Sequence, residues 1–403
     1  MDKIVSLCKR RGFIFQGSEI YGGFAGFWDY GPYGLALKNN IKNLWWQIFV
    51  EEREDIYGMD TSVIMNPRAW EASGHVAGFA DQMDNGNKFN VMFKTSVGAG
   101  EESIVSYLRP ETAGGMFVNF KNIMDSLSPK IPFGLAQVGK AFRNEIAPRD
   151  FVFRSREFEQ MEVEYFVKPA DWEKYFEEWK KIISMWCKII GLEKSHTHEL
   201  EVLDKERAHY SKRTIDFEFD YPFGRKELYG LAYRTDFDLK SHSSFSNADL
   251  YYYDEETKEK FIPHIIEPSL GVDRTILAVL SEAYKEDEMN EEKRIYLALK
   301  PILAPIKVAV FPLLKNKPQL VKKAREIYED LKKKFKAVEF DDNGNIGKRY
   351  RKQDEIGTPF CVTVDFDTLE KDKKVTVRDR DSGKQERIDI DKLITYLSEK
   401  ISL

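Results

Sequence analysis

The run FVFRSREFEQMEVEYF, residues 151–166, limits what this chain can fold into more than any other segment. Its aromatic and β-branched content with alternating polarity predicts a strand. Strand alternation then puts Arg154, Arg156, Phe158, Gln160, Glu162 and Glu164 on one face. A strand in a large domain carries two arginines, two glutamates and a glutamine beside an aromatic ring when that face lines a wet cavity or ligand site, or when it lies open to solvent. The preceding GLAQVGKAFRNE also reads as a strand, with IAPRD as the turn, so residues 134–166 predict an antiparallel pair.

A chain of 403 residues exceeds what one hydrophobic core serves, which predicts two or three domains around this pair. Its 42% hydrophobic and 32% charged residues exclude disordered and fibrous classes. Cys8, Cys187 and Cys361 form no CxxC pair, so neither a disulfide framework nor a structural zinc is expected. No stretch approaches the roughly eighteen uninterrupted apolar residues of a membrane helix, and the opening MDKIVSLCKRRGFIFQGSEI has no long apolar stretch before a cleavage site, so a soluble, cytoplasmic protein without membrane contact is expected. Residues 301–403 hold 23 Lys+Arg against 18 Asp+Glu, while the rest holds 39 against 49. A mildly basic tail on an acidic body suits a nucleic-acid partner or a solvated surface.

LALKNNIKNLWWQIFVEEREDIYG predicts a long amphipathic helix after the Gly31-Pro32 breaker. MDTSVIMNPRAW then reads as a short strand ended by Pro67. A helix is predicted over about 170–190, a β-rich stretch over 215–253, and a strand turning into a helix near Val272 within PHIIEPSLGVDRTILAVL. The prolines of LKPILAPIKVAVFP mark a boundary. Beyond it, strands alternate with helices in about a hundred residues, a compact α/β layer. The division is therefore 1–303, with a helical and β insertion at about 168–215, and 304–403. The fold class is mixed α/β, of the α+β kind.

FWDYGPYG, YLRPETAGGMFVNF, FRNEIAPRDFVFRSREFEQME, YRTDFDLKSH, IEPSLGVDR and GKRYRKQDEIGTPFCVTVDF stand in an order that closely resembles the dimeric glycyl-tRNA synthetases, within the class II aminoacyl-tRNA synthetases. The resemblance implies an antiparallel-sheet catalytic domain, a C-terminal anticodon-binding domain, a homodimer built on the long helix, and ATP, glycine and tRNA(Gly) as substrates. It implies an ATP site at Arg143, Asn144, Glu145, Phe153, Arg154, Phe158, Glu227, Leu228, Gly271, Asp273 and Arg274. Arg143 would clamp the α-phosphate and the attacking carboxylate, Glu145 would accept from the adenine amino group, Phe158 would stack on adenine, and Arg274 would meet the γ-phosphate. Mg2+ would be held by Glu267, with Glu227 as the second candidate. Arg143, Arg274 and Glu267 are thus the expected catalytic residues.

Glycine itself is assigned, through the resemblance, to Glu111, Gln160, Glu162, Glu267 and Ser269, a carboxylate-rich set suited to an ammonium group. Since glycine has no side chain, selection works by filling the space of a Cβ, and Ser269 is expected to form part of that wall. Weak tRNA contacts are expected from Arg349, Arg351, Lys352, Arg378 and Arg380. Many relatives carry a longer insertion after the segment matching WEASGHVAGFADQMD, which DNGNKFN closes at once here. The THTH pattern of His196 and His198 reads as an exposed turn rather than a metal site. Two other readings stand beside the ligase: a non-catalytic RNA-binding protein on a synthetase scaffold, and an adenylate-forming enzyme with another acceptor.

Overall fold

The computed structural model describes residues 1–82, 88–208, 210–289 and 291–401. Seven strands build its main sheet: β1 (Ile56–Gly58), β2 (Phe133–Phe142), β3 (Glu157–Val167), β4 (Thr197–Glu201), β5 (Arg213–Tyr221), β6 (Gly224–Thr235) and β7 (His264–Gly271). They lie in the order β4-β5-β6-β7-β3-β2-β1, antiparallel except for the β1–β2 edge. One face of β3 presents Met161, Val163 and Tyr165 to the core. Phe176, Trp179, Ile183 and Trp186 of the helix Trp172–Ile189 are buried in the same cluster, as are Leu37, Ile41, Leu44 and Trp45 of the helix Pro32–Trp46. Each such side chain contributes about 1.5–3 kcal/mol by leaving water. On the opposite face Phe166 packs with Phe117, Phe120 and Leu239, and the surface turns polar only toward Glu164 and Glu162.

Three local expectations are corrected. Pro67 ends no strand: it opens the helix Pro67–Ala72, where its missing N–H is harmless, and Asn66 caps that helix by accepting from Arg68 N at 3.0 Å. The predicted strand 151–166 begins only at Glu157, because Asp150 and Phe151 take φ of 59° and residues Phe151–Phe153 form a single tight turn. The stretch 215–253, expected to be β-rich, also contains a helix, Phe237–Ser246. The segment 168–215 supplies the helix Trp172–Ile189 and β4, which join the main sheet and its core.

The C-terminal part has a core of its own around Val308, Val310, Leu320, Val362 and Val377. Its five-stranded sheet runs Val338–Phe340, Val308–Pro312, Phe360–Val364, Lys374–Asp379, Gln385–Asp389, the first three parallel and the rest antiparallel. A hairpin, Tyr284–Met289 with Glu292–Leu297, joins the two parts. Its Arg294 pairs with Asp287 at 2.5 Å and donates to the Arg380 carbonyl at 2.6 Å. Among the described residues no helix is long and apolar enough to cross a membrane.

Candidate active site

The end of β2, strands β3, β6 and β7 and the start of the helix Val272–Ala283 surround an open cleft. Its lining includes Arg143, Glu145, Phe153, Arg154, Phe158, Gln160, Glu227, Leu228, Ser269, Gly271, Asp273 and Arg274. Residues far apart in the chain meet because β7 lies between β3 and β6. The Arg143 guanidinium lies 5.3 Å from the Phe158 ring centroid, and its Nε donates to the Pro110 carbonyl at 3.0 Å. Arg274 lies 4.5 Å from the Phe153 ring and pairs with Glu227 at 3.1 Å. That pair holds the Glu227 carboxyl below its ordinary range, chiefly through the Arg274 charge.

Other expected ATP residues are tied to the protein. Arg154 holds Glu145 at 2.6 Å, and Asn144 N donates to the Val91 carbonyl at 2.7 Å. Asp273 accepts from Glu159 N at 2.7 Å and from the Tyr30 hydroxyl, with Lys38 Nζ 3.5 Å away. Lys38 also pairs with Glu159 at 2.9 Å, so this buried network ties the long helix to the cleft floor.

Next to the cleft, the structure gathers buried carboxyls. Ser269 Oγ donates to Glu162 at 2.6 Å, Thr112 donates to its other oxygen, and Gln160 Nε2 lies 3.3 Å away. Burial, then the charge of Glu111, raises the Glu162 carboxyl. Among the described residues, Gln160 Oε1 is buried without a hydrogen-bond partner. Burial opposes ionisation of Glu111, yet His75 at 3.4 Å, with Arg234 and Arg143, holds its carboxyl down to about 2.

Sequence reasoning missed Arg234. Fully buried, it contacts Glu267 at 3.0 Å and grips Asp238 with two donors at 2.8 Å. It also stacks 3.8 Å from the Tyr210 ring centroid. A register shift between Tyr233 and Thr235 bulges β6 there, and Thr235 takes φ of 59°, unusual for a β-branched residue. The bulge aims the guanidinium inward. Arginine and aspartate four residues apart in RTDFD were the available signal.

The two carboxyls named for Mg2+, Glu267 first and Glu227 second, lie in different places. Glu267 stands opposite Ala232 on β6, while Glu227 lies five residues further along that strand, about 16 Å at strand rise, beside Arg274. Glu267, bound to Arg234 behind the cleft, is therefore withdrawn as a magnesium ligand. Near Glu227, Asp216 is raised to about 7 by burial and by the charges of Glu227 and Glu218.

Three of the five arginine and lysine contacts expected with tRNA are also corrected. Arg378 is buried and gives two hydrogen bonds to Asp354, at 2.7 and 3.0 Å. Arg380 is buried on Asp381 and on the Gly357 and Leu299 carbonyls. Arg349 is buried against the Pro312 carbonyl at 2.6 Å. Guanidiniums so enclosed are structural. Arg351 and Lys352 remain partly exposed, paired with Glu292 and with Glu339 and Asp341. The expected exposed turn at 196 and 198 is corrected: His196 ends the short turn Lys194–His196 and hydrogen-bonds Glu282, while His198 lies in β4 and hydrogen-bonds Asp220, each at 2.8 Å; Glu193, His196 and Glu282 stand close enough to hold an ion. The junction following Asp84 falls mostly outside the described residues.

Residues 93–283 match the family profile described as the tRNA synthetase class II core domain (G, H, P, S and T), and residues 307–400 match the anticodon binding domain. The chain is similar to the glycine–tRNA ligases of Caldanaerobacter subterraneus subsp. tengcongensis and Thermobifida fusca, each 47% identical, and of Alkaliphilus oremlandii, 46% identical. All three matches cover 100% of this chain and 98% of the relative. The first alignment spans 458 positions against 403 residues here, so the relatives carry residues that this chain lacks. With its catalytic cleft and C-terminal sheet both accounted for by these matches, the chain belongs to the glycine–tRNA ligase family of class II tRNA synthetases.

Proposed function

We propose that this enzyme activates glycine with ATP to glycyl-adenylate and transfers glycine to the 3′ end of tRNA(Gly). The carrying observation is the place of Arg143. It stands beside Phe158 in the cleft while its Nε donates to the Pro110 carbonyl, next to Glu111 of the carboxyl pocket, so one guanidinium borders both halves of the site. Glycine's carboxylate is ionised at neutral pH and attacks the α-phosphorus in line, which needs no general base. Arg143 gathers the charge of the attacking and equatorial oxygens as pyrophosphate departs, with Arg274 toward the γ-phosphate. Phe158 stacks on adenine, Glu145 accepts from its amino group, and Leu228 and Gly271 complete the cleft walls. The 3′-hydroxyl of tRNA then attacks the carbonyl, and AMP leaves.

Glu111, Glu162, Glu267, Gln160 and Ser269 receive glycine. The Ser269 hydroxyl, fixed on Glu162, occupies space that a larger substrate's Cβ needs. Replacing Ser269 by glycine should then raise alanine and serine activation relative to glycine. Mg2+ would be held by Glu227, beside Arg274, where it would neutralise phosphate charge.

The catalytic part runs over 1–303 and the anticodon-binding part over 304–403, with Arg351 and Lys352 as phosphate contacts. A homodimer is supported by the exposure of Ile20 (89%), Tyr21 (86%) and Phe24 (60%) near the long helix. The cytoplasm is the place of work. Glycine-dependent exchange of pyrophosphate into ATP, followed by tRNA charging, tests the reading. Both should proceed. Absence of exchange would leave a scaffold without chemistry, and exchange without charging would point to another acceptor.

A further inference from the structure

Behind the glycine pocket lies a carboxyl that the site described above does not use. Glu164 is fully buried, and neither of its oxygens has a hydrogen-bond partner. One oxygen from each of Glu162, Glu164 and Glu267 lies within 4.8 Å of the others. The backbone makes room for the cluster. The β3–β7 ladder pairs Ile266 with Tyr165 and Ser269 with Glu162 but skips Glu267 and Pro268, since proline has no N–H to offer. Glu164 stands opposite that gap.

A buried carboxylate with no donor needs a cation or keeps its proton. Cations here are already committed. Arg234, from β6, serves Glu267 and Asp238, the latter on the helix Phe237–Ser246. His75 serves Glu111, while Arg109 and Arg143 act from farther off on Glu162 and Glu111. Tyr210 stacks on Arg234, and His242 from the same helix as Asp238 is lowered by burial, which favours its neutral form. Carboxyls therefore outnumber the cations that reach them.

We infer that Glu164 is a positioning residue that shares one proton with Glu267, and that this proton leaves when the ammonium group of glycine enters. The inference rests on the glycine reading above and deepens it. Burial, then the charge of Glu267, drives the Glu164 carboxyl well up. Burial also pushes Glu267 up to about 8, against the pull of Arg234, whose 3.0 Å contact favours placing the proton on Glu164. An opposite charge within about 4–6 Å lowers a carboxyl pKa by about 1–3. The balance is simple: protonated enzyme and zwitterionic glycine give the complex and one free proton, with no substrate bond changed. The empty pocket thus avoids surplus negative charge and gains it when a cation arrives.

Calorimetry of glycine binding to the wild-type enzyme, in two buffers of different ionisation enthalpy at pH 7, should show release approaching one proton. Release should vanish in Glu164→Gln, whose amide preserves shape and can donate to Glu267. In pyrophosphate exchange at saturating ATP, the wild-type KM for glycine should fall by up to about tenfold for each unit that the pH rises toward the pair's pKa. The E164Q variant should stay within about twofold over the same range, with kcat nearly kept. Zero proton release by the wild type, or an unchanged pH profile in a folded E164Q, overturns the inference. The wild-type calorimetry decides the matter even if E164Q fails to fold. Absence of any glycine-dependent exchange by the wild type would instead overturn the glycine reading itself.

Discussion

The arginines of the cleft and those of the C-terminal part carry the same guanidinium to opposite ends. Arg143, Arg154 and Arg274 line open space and keep one side toward it. Arg349 and Arg378 border a C-terminal cavity too, but with Arg380 they are at most 4% exposed and hand most of their donors to carbonyls and to Asp354 or Asp381. Charge alone does not separate these groups; enclosure does. A ligand can recruit a guanidinium only when folding has left some of its donors toward a site, whereas enclosed ones hold chain segments together. Arg234 combines both conditions, buried like the second group yet set within the carboxyl pocket like the first.

Removing Arg378 tests the architectural side with the largest expected effect. Arg378→Met leaves Asp354 buried with only Arg294, 3.6 Å away, for a partner. Loss of one member of a buried pair costs about 3–5 kcal/mol. A marked fall in the midpoint of the C-terminal unfolding transition is expected, followed by circular dichroism, with pyrophosphate exchange within about twofold below that transition. A large loss of exchange without loss of stability would break the comparison from its architectural end.

Arg143→Ala probes the other side. A charge-stabilising donor at a reacting centre is worth about 10²–10³ in rate. Glycine-dependent exchange should fall by about that factor while the unfolding midpoint moves little, because among the described residues the Arg143 side chain gives the protein one hydrogen bond, 3.0 Å to the Pro110 carbonyl. If stability drops as far as in the Arg378 variant, Arg143 is architectural too.

These contrasts explain what was legible beforehand. The polar face of β3 could be read because strand alternation is local, and Gln160, Glu162 and Glu164 are indeed buried at the site rather than open to solvent. The inward aim of Arg234 depends on a bulge and a positive φ at Thr235, which no periodicity announces. The C-terminal arginines were misjudged because residue type reveals charge but not enclosure, and the Leu299 carbonyl that binds Arg380 lies 81 residues away. The separation of Glu227 from Glu267 likewise depends on strand register, which is a property of the pairing and not of either segment.

Phe158→Ala sharpens the division inside the cleft with a smaller effect. Base stacking on an aromatic ring is worth about 1–3 kcal/mol, so the KM for ATP should rise by roughly fivefold to somewhat over a hundredfold. The KM for glycine should stay within about twofold, since the carboxyl pocket does not rely on that ring. Steady-state exchange with each substrate varied in turn measures both. Equal rises would mean that the ring shapes the whole site rather than the nucleotide half.

The smallest effect falls inside the C-terminal part, where Arg351 provides the contrast to Arg378. It is about a third exposed and pairs with the outlying Glu292 at 3.1 Å. Its exposed pair contributes little to stability, so Arg351→Ala should leave the unfolding midpoint unchanged. If it meets a phosphate of tRNA, charging should weaken by a few fold, and the slope of log affinity against log salt should flatten by roughly one phosphate contact. Exchange, which involves no tRNA, should not change. A variant that loses exchange or stability together with charging would place Arg351 with the enclosed arginines. An unchanged salt slope would remove this part of the helix Ile346–Ile356 from the tRNA interface.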